Sequence, residues 1–202
     1  MARSRAADYD DKRRSILKIA AAVFAREGFH GASIATIAAA AEVSKATLYH
    51  YYANKDALLF ALLQGHLKEV LAALYAAQKS TASPEAQLHA YIVAILEAYR
   101  DADDEHRVQI HDMSSLSTNH RNALMALERE IVRLVADCLD LVVPDLLKYR
   151  EKRQPLAMSL FGILNWHFLW FREQGPMDRK AYADFVMTLF LRGAPRAVNP
   201  TP

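Results

Sequence analysis

Two serines eleven positions apart, Ser33 and Ser44, limit what this 202-residue chain can fold into more than any other feature. Each stands where a helix N-cap is wanted, its hydroxyl able to accept from a backbone N–H two or three residues on. After Ser33, the residues Ile34, Ile37 and Ala38 recur at i, i+3, i+4, which predicts a helix of about two turns over 33–40. Ala41-Glu42-Val43 breaks the period, and Ser44 opens a second short helix. On it Ser44, Leu48 and Tyr52 share one side, while Ala46, Tyr49 and His50 share the other, flanked by Lys45 and Thr47. Two short helices joined by so tight a turn make either an ordinary helical hairpin with half-buried tyrosines or a helix-turn-helix that enters a DNA major groove. Periodicity alone leaves both open. The outward residue types suit the second: Ala46 and the Thr47 methyl let the backbone approach base edges, Lys45 can donate to guanine acceptors, and Thr47 can meet a thymine methyl or a phosphate. Tyr49, Tyr51 and Lys55 suit phosphate oxygens.

The rest of the chain reads as helices with clear punctuation. Ile16, Ile19, Ala20, Val23 and Phe24 stripe a helix over about 10–27, which Gly28 stops. Asn54 can cap a long helix to about residue 79; Gly65 inside it costs about 1 kcal/mol against alanine, so a close neighbour or a slight bend is expected there. Ser83-Pro84-Glu85 restarts a helix to about residue 100, along which Tyr91, Ile95 and Tyr99 form a core stripe. The acidic run 101–105 is a loop or a helix start. His106 and His111 do not share a helical face at a spacing of five, which argues against a metal site. Ser117-Thr118-Asn119 can cap an amphipathic helix over 123–143, and 146–153 is a basic loop or a continued helix. Leu156 to Phe171 carries no formal charge and is expected as one helix, buried on one side by its own core and on the other by a second subunit. It is too short and too polar for a membrane span. Asp178 caps the last helix, striped by Tyr182, Phe185, Val186, Leu189 and Phe190 and ending before Gly193, with the tail from Ala194 expected to be disordered.

Charge is uneven. Residues 1–56 hold nine Lys and Arg against six Asp and Glu, and the remainder sixteen against seventeen. A basic head on a near-neutral body fits phosphate contact at one end only. Arg3 and Arg5 lie in an expected N-terminal arm that can follow a groove or be a solvated tail. Lys12, Arg13 and Arg14 form either a solvated face or a phosphate clamp. The single cysteine, Cys138, can form no internal disulfide, and Met1 to Arg14 lacks the apolar core of a signal peptide, so a cytoplasmic location is expected. There is no glycine-rich phosphate loop, metal-ligand cluster or nucleophile motif, and no cofactor or catalysis is expected.

The chain resembles the TetR family of bacterial transcriptional repressors at Gly28-Phe29, Ile37-Ala38, Val43-Ser44, Thr47-Leu48-Tyr49-His50-Tyr51-Tyr52 and Asn54-Lys55-Asp56-Ala57-Leu58. The resemblance implies an all-α fold in which an N-terminal three-helix helix-turn-helix DNA-binding head, residues 1–55, is joined by a long helix to a helical ligand-binding and dimerisation domain, 56–202. It implies that Lys45, Ala46, Thr47, Tyr49, His50, Tyr51 and Lys55 touch operator DNA, and the capping residues Ser33 and Ser44 join this candidate set. It also implies a homodimer through the last two long helices, and release from a palindromic operator by a small hydrophobic effector. Gly162 to Trp166, with Trp170 and Phe171, resembles a branch that answers to acyl-CoA thioesters. Candidate effector contacts are Tyr91, Tyr99, His111, Met113, Met125, Trp166 and Trp170. Two departures matter: Glu42 stands where many members have a turn glycine, and Ala35 where many have a basic residue. They motivate the alternative of a helical small-molecule-binding protein without specific DNA binding.

Overall fold

The structure, a computed structural model, describes residues 2–79 and 83–199, with the backbone alone for 2–8 and 10. Among the described residues there are nine α-helices and no strand: α1 (Ala2–Gly31), α2 (Ile34–Ala40), α3 (Lys45–Tyr51), α4 (Lys55–Gln78), α5 (Pro84–Ala98), α6 (Asp103–Asp112), α7 (Thr118–Val142), α8 (Arg153–Asn165) and α9 (Arg179–Val198). They form two compact units, Met1–Leu67 with Ala102–Ala126, and Lys68–Asp101 with Leu127–Pro202. The helices α4 and α7 each begin in the first unit and end in the second.

The start signals act as their chemistry demands. Ser33, Ser44, Asn54, Ser83 and Asp178 each accept from the backbone N–H three residues on, at 2.7–3.2 Å. In the first unit the α1 stripe is buried at Ile16, Ala20, Val23 and Phe24, as are Ile37 and Ala38 of α2, Leu48 of α3 and Leu58, Leu59, Leu62 and Leu63 of α4, and α1 lies against α2 and, most extensively, α6. His66 and His106 are buried here with ring centroids 5.9 Å apart. Burial, with the neighbouring His106 second, draws the His66 pKa down to about 4, so its imidazole is neutral at pH 7. Asp56, at the start of α4, accepts from Ser117 N–H at 2.8 Å and Ser117 Oγ at 3.1 Å and pairs with His120, tying α4 to the first turn of α7. Burial works to raise its carboxyl pKa, but those hydrogen bonds outweigh it and hold it low.

In the second unit Tyr91 and Ile95 are fully buried and Tyr99 nearly so, as a core stripe. Tyr99 donates to Asn165 Oδ1 at 2.9 Å, and burial pushes its phenol well above the ordinary range. Arg179, 7% exposed, donates to Leu96 O at 2.6 Å at the C-terminal end of α5 and pairs with Glu173. A cation there complements the partial negative charge of the helix end. Cys138 is buried beside Pro84 O, and burial raises its thiol pKa to about 11. Among the described helices α4 alone is long and apolar enough to cross a membrane by length and composition, and all its leucines but the half-buried Leu71 are core.

Four expectations are corrected. First, α1 begins at Ala2, so the segment with Arg3 and Arg5 is helical; their side chains lie outside the described residues. Second, the apolar run 156–171 is not one helix: α8 ends at Asn165, whose amide is taken by Tyr99, and a 3-10 turn follows at His167–Leu169 with His167 buried against Phe171 and Tyr182. Third, α9 passes Gly193 and Pro195 to Val198, because Ala194 and Val198 are buried and Lys152 Nζ donates to Val198 O at 2.7 Å. Residues 200–202 lie outside the described residues. Fourth, α7 starts at Thr118, and 3-10 turns occupy Pro144–Leu147 and Arg150–Lys152.

Gly65 has neither a close neighbour nor a non-helical backbone; a Cβ added there meets no atom within 4 Å. Gly65→Ala is therefore expected to stabilise the chain by about 0.5–1 kcal/mol and raise its thermal midpoint by about 2–3 °C, checked by calorimetry.

Candidate nucleic-acid interface

The candidate interface is built on the two capped helices α2 and α3. Ser33 Oγ accepts from Thr36 N–H at 3.0 Å and Ser44 Oγ from Thr47 N–H at 2.9 Å; each serine hydroxyl also meets the threonine hydroxyl at 2.8 Å. These contacts fix both helix starts, so Ser33 and Ser44, though exposed, serve local structure first.

The turn between them has a definite form. Val43 N–H donates to Ala38 O at 3.0 Å and Glu42 N–H to Ala39 O at 3.2 Å, the paired bonds of a Schellman motif. That motif places its penultimate residue in the left-handed region, and Glu42 has φ 52°. A side chain there costs about 1–2 kcal/mol, so Glu42→Gly should gain about 0.5 kcal/mol net of the entropy glycine adds to the unfolded chain. A higher urea midpoint checks this, whereas a lower one would show that the Glu42 side chain makes a stabilising contact.

The two faces of α3 divide cleanly. Leu48 and Tyr52 are 0% and 4% exposed, while Lys45, Ala46, Tyr49 and His50 are exposed and Thr47 and Tyr51 half-buried. Ser44, expected inward, lies outside at the cap. At the exit, the Tyr51 ring lies 4.8 Å from that of Tyr9 on α1, and the Arg13 guanidinium stands 6.0 Å from the Tyr52 ring centroid. Burial raises the Tyr52 pKa against the lowering influence of Arg13. Arg14 pairs with Asp11, so of the three early basic residues it is turned to its own helix.

Lys55 is placed differently from a free phosphate ligand. Its ammonium donates to Phe29 O at 2.6 Å and Ala32 O at 2.7 Å and lies 4.5 Å from the Phe29 ring centroid. Two of its three N–H groups are engaged by the backbone, leaving one for a phosphate. The sequence gives no sign of this, nor of Tyr9 packing on Tyr51, because both contacts join residues more than twenty positions apart.

The expected effector residues are divided between the two units. His111 lies near the end of α6, Met113 in the 3-10 turn that follows it and Met125 on α7, all in the first unit, with His111 and Met125 exposed. In the second unit Tyr91 lines an open cavity of about 210 Å³ with Gln78, Gln87, Arg133 and Asp137, while Trp170 lines another of about 220 Å³ with Phe171, Met177 and Tyr182. Tyr99 is core, and Trp166 is 54% exposed. His106 is buried and His111 exposed; among the described residues no group of three or more His, Cys, Asp or Glu is placed to hold a metal.

Comparison with known proteins bears on the same regions. Residues 16–62 match the family profile described as bacterial regulatory proteins, tetR family, and residues 81–194 match that described as tetracyclin repressor-like, C-terminal domain. The HTH-type transcriptional repressor KstR2 of Mycobacterium tuberculosis is 30% identical over 105 residues, covering 52% of this chain and 50% of that protein. The HTH-type transcriptional regulator RutR of Escherichia coli is 38% identical over 102 residues, 50% and 48% respectively. The chain thus spans about half the length of these curated relatives in the matched region. Among solved structures, a TetR-family transcriptional regulator from Bordetella parapertussis aligns with TM-score 0.84 and 33% identity, covering 89% of this chain and 93% of that one. AibR, solved in complex with isovaleryl coenzyme A and operator DNA, shares the fold at TM-score 0.71 and 24% identity, over 88% and 97%.

Proposed function

We propose, since the chain belongs to the TetR family of bacterial regulatory proteins, that it is a dimeric, ligand-released transcriptional repressor whose α3 reads a palindromic operator. The observation that carries this is the division of α3: an inner face locked by Leu48 and Tyr52, and an outer face of Lys45, Ala46, Tyr49 and His50 turned to solvent, with Thr47 half-buried beside them. Lys45 and Ala46 at the helix start meet base edges, and Tyr49, Tyr51 and the remaining Lys55 N–H meet phosphates. DNA contact is assigned to residues 1–55, and effector binding and pairing to 56–202, acting in the cytoplasm.

One head buries little DNA, and a symmetric pair reads two half-sites. The pairing face is assigned to α8 and α9, where Met158, Phe185 and Leu189 are about half exposed on helices whose opposite faces are core. Such a row of large apolar side chains is the kind of surface a second copy covers. The effector is taken to be a small hydrophobic molecule, with an acyl- or aryl-CoA thioester as the leading class. The exposed Trp166 and Trp170 and the CoA-bound state of the fold neighbour AibR support that choice. An effector releases DNA only by binding the DNA-incompetent state better, about 1.4 kcal/mol for each tenfold loss of operator affinity.

The test is anisotropy of the full chain on DNA from upstream of its own coding region, titrated with salt and then with CoA thioesters and their free acids. Specific binding should weaken with a log–log salt slope of about −4, reflecting two basic heads, and be reversed by the thioester and not the acid. Absence of specific binding at low salt would remove the DNA reading, and release by the free acid alone would remove the thioester.

A further inference from the structure

Both backbone polar groups of Phe29 are held by side chains from other helices of the first unit. The N–H donates to Asp112 Oδ1 at 3.1 Å, and the carbonyl accepts from Lys55 Nζ at 2.6 Å. Asp112 closes α6 and is 8% exposed; Lys55 opens α4, four positions after the last residue of α3. Gly28, at φ 69°, ψ 164°, breaks the helical path of α1 just before Phe29, making a turn there, and His30 Nε2 lies 3.4 Å from Ser115 Oγ just beyond α6. Residues 28–32 are therefore clamped between the end of α6 and the start of α4.

We infer that Asp112 is a positioning residue for DNA reading: through Phe29 it fixes Lys55, and with Lys55 the exit of α3. Specific affinity then depends on the end of α6, although Asp112 itself touches no DNA. This rests on the reading of α3 as the reading helix. A carboxylate accepting from a backbone N–H forms a stronger and stiffer bond than a neutral pair does. With the acceptor removed, the Phe29 N–H loses its partner in a largely closed site and the turn must relax to find another. Lys55, anchored to the carbonyls of that turn, moves with it, and its third N–H is no longer aimed by the other two. Because Asp112 and Lys55 act on one residue, their effects on DNA affinity must be non-additive.

The experiment compares the full chain with Asp112→Asn, Asp112→Ala, Lys55→Met and the Asp112→Ala, Lys55→Met double variant. Affinity is measured for the operator and for an unrelated duplex of equal length, with thermal midpoints recorded alongside. Asp112→Ala should weaken operator binding by about tenfold while leaving the unrelated duplex within about twofold, a size typical of coupling between sites. Asp112→Asn, whose Oδ1 still accepts, should remain within about twofold of the parent on both, and the double variant should lose less than the product of the single losses. Where the alanine variant does not hold its fold, Asp112→Ser, polar yet too short to reach Phe29, takes its place. The inference is overturned if loss of the acceptor leaves operator affinity unchanged, if Asn falls as far as Ala, or if the single losses multiply. A parent chain that does not distinguish operator from unrelated duplex overturns this inference together with the DNA reading; a parent that does, paired with an unaffected Asp112→Ala, overturns this inference alone.

Discussion

Replacing Lys45 and Tyr49 together by alanine is expected to remove specific operator binding while leaving the fold untouched. Tyr49 is 53% exposed and Lys45 also faces solvent, on the side of α3 opposite Leu48 and Tyr52, so neither truncation opens a cavity. Surface changes of this kind shift stability by about 0.5 kcal/mol or less. A lysine donating to a base edge is worth about 1–3 kcal/mol and a phosphate contact somewhat less, and a dimer loses both contacts in each half-site. The operator affinity should therefore fall by at least about a hundredfold, with a shallower salt slope, while the thermal midpoint stays within about 1–2 °C. Anisotropy and calorimetry on the same preparation decide the matter. Equal binding before and after would mean that α3 does not face DNA, and would favour a ligand-binding protein without operator recognition.

Gly28→Ala should produce the largest loss of stability. At φ 69° and ψ 164° this residue occupies a region essentially closed to side chains, at a cost of about 1–3 kcal/mol. The penalty is one of backbone, since the added Cβ would stand 4.0 Å from Asp112 Oδ1, ordinary contact, with no nearer atom around it. A thermal midpoint lowered by about 3–9 °C is expected. Combining it with Asp112→Ala should give no recovery, and recovery would show that crowding against the carboxylate was the cause.

What could be read from the sequence divides by distance along the chain. The caps at Ser33, Ser44, Asn54, Ser83 and Asp178 were legible because donor and acceptor lie three residues apart, and the stripes of α1, α3 and α5 because a helix brings i, i+3 and i+4 to one face. The strain at Glu42 was foreseeable from the absent turn glycine. The clamp on Phe29, the contact of Arg179 with α5 and the ring of Tyr9 on Tyr51 were not, for each joins segments that only the folded chain brings together. Punctuation misled in two places. An unbroken apolar run concealed the end of α8, because period cannot separate an α-helix from the 3-10 turn at His167. Gly193 and Pro195 signalled a stop that the burial of Ala194 and Val198 overrode. The division of α3 into a buried and an exposed face was legible in the period, while the expected effector residues, chosen as aromatic, sulphur-bearing or imidazole side chains, belong to both units.

The separation of faces on α3 bears on how such a protein changes over generations. Lys45, Ala46, Tyr49 and His50 can be exchanged without disturbing the interior, whose contribution from this helix rests on Leu48 and Tyr52. On the proposed reading of α3, a duplicated copy reaches a new operator by substitutions that leave its folding unaltered. The correctable strain at Glu42 and the open position at Gly65 supply a reserve against any that do not. Retargeting by laboratory selection should accordingly find its solutions among the four outward positions, and a Gly65→Ala background should widen the set of them that survives.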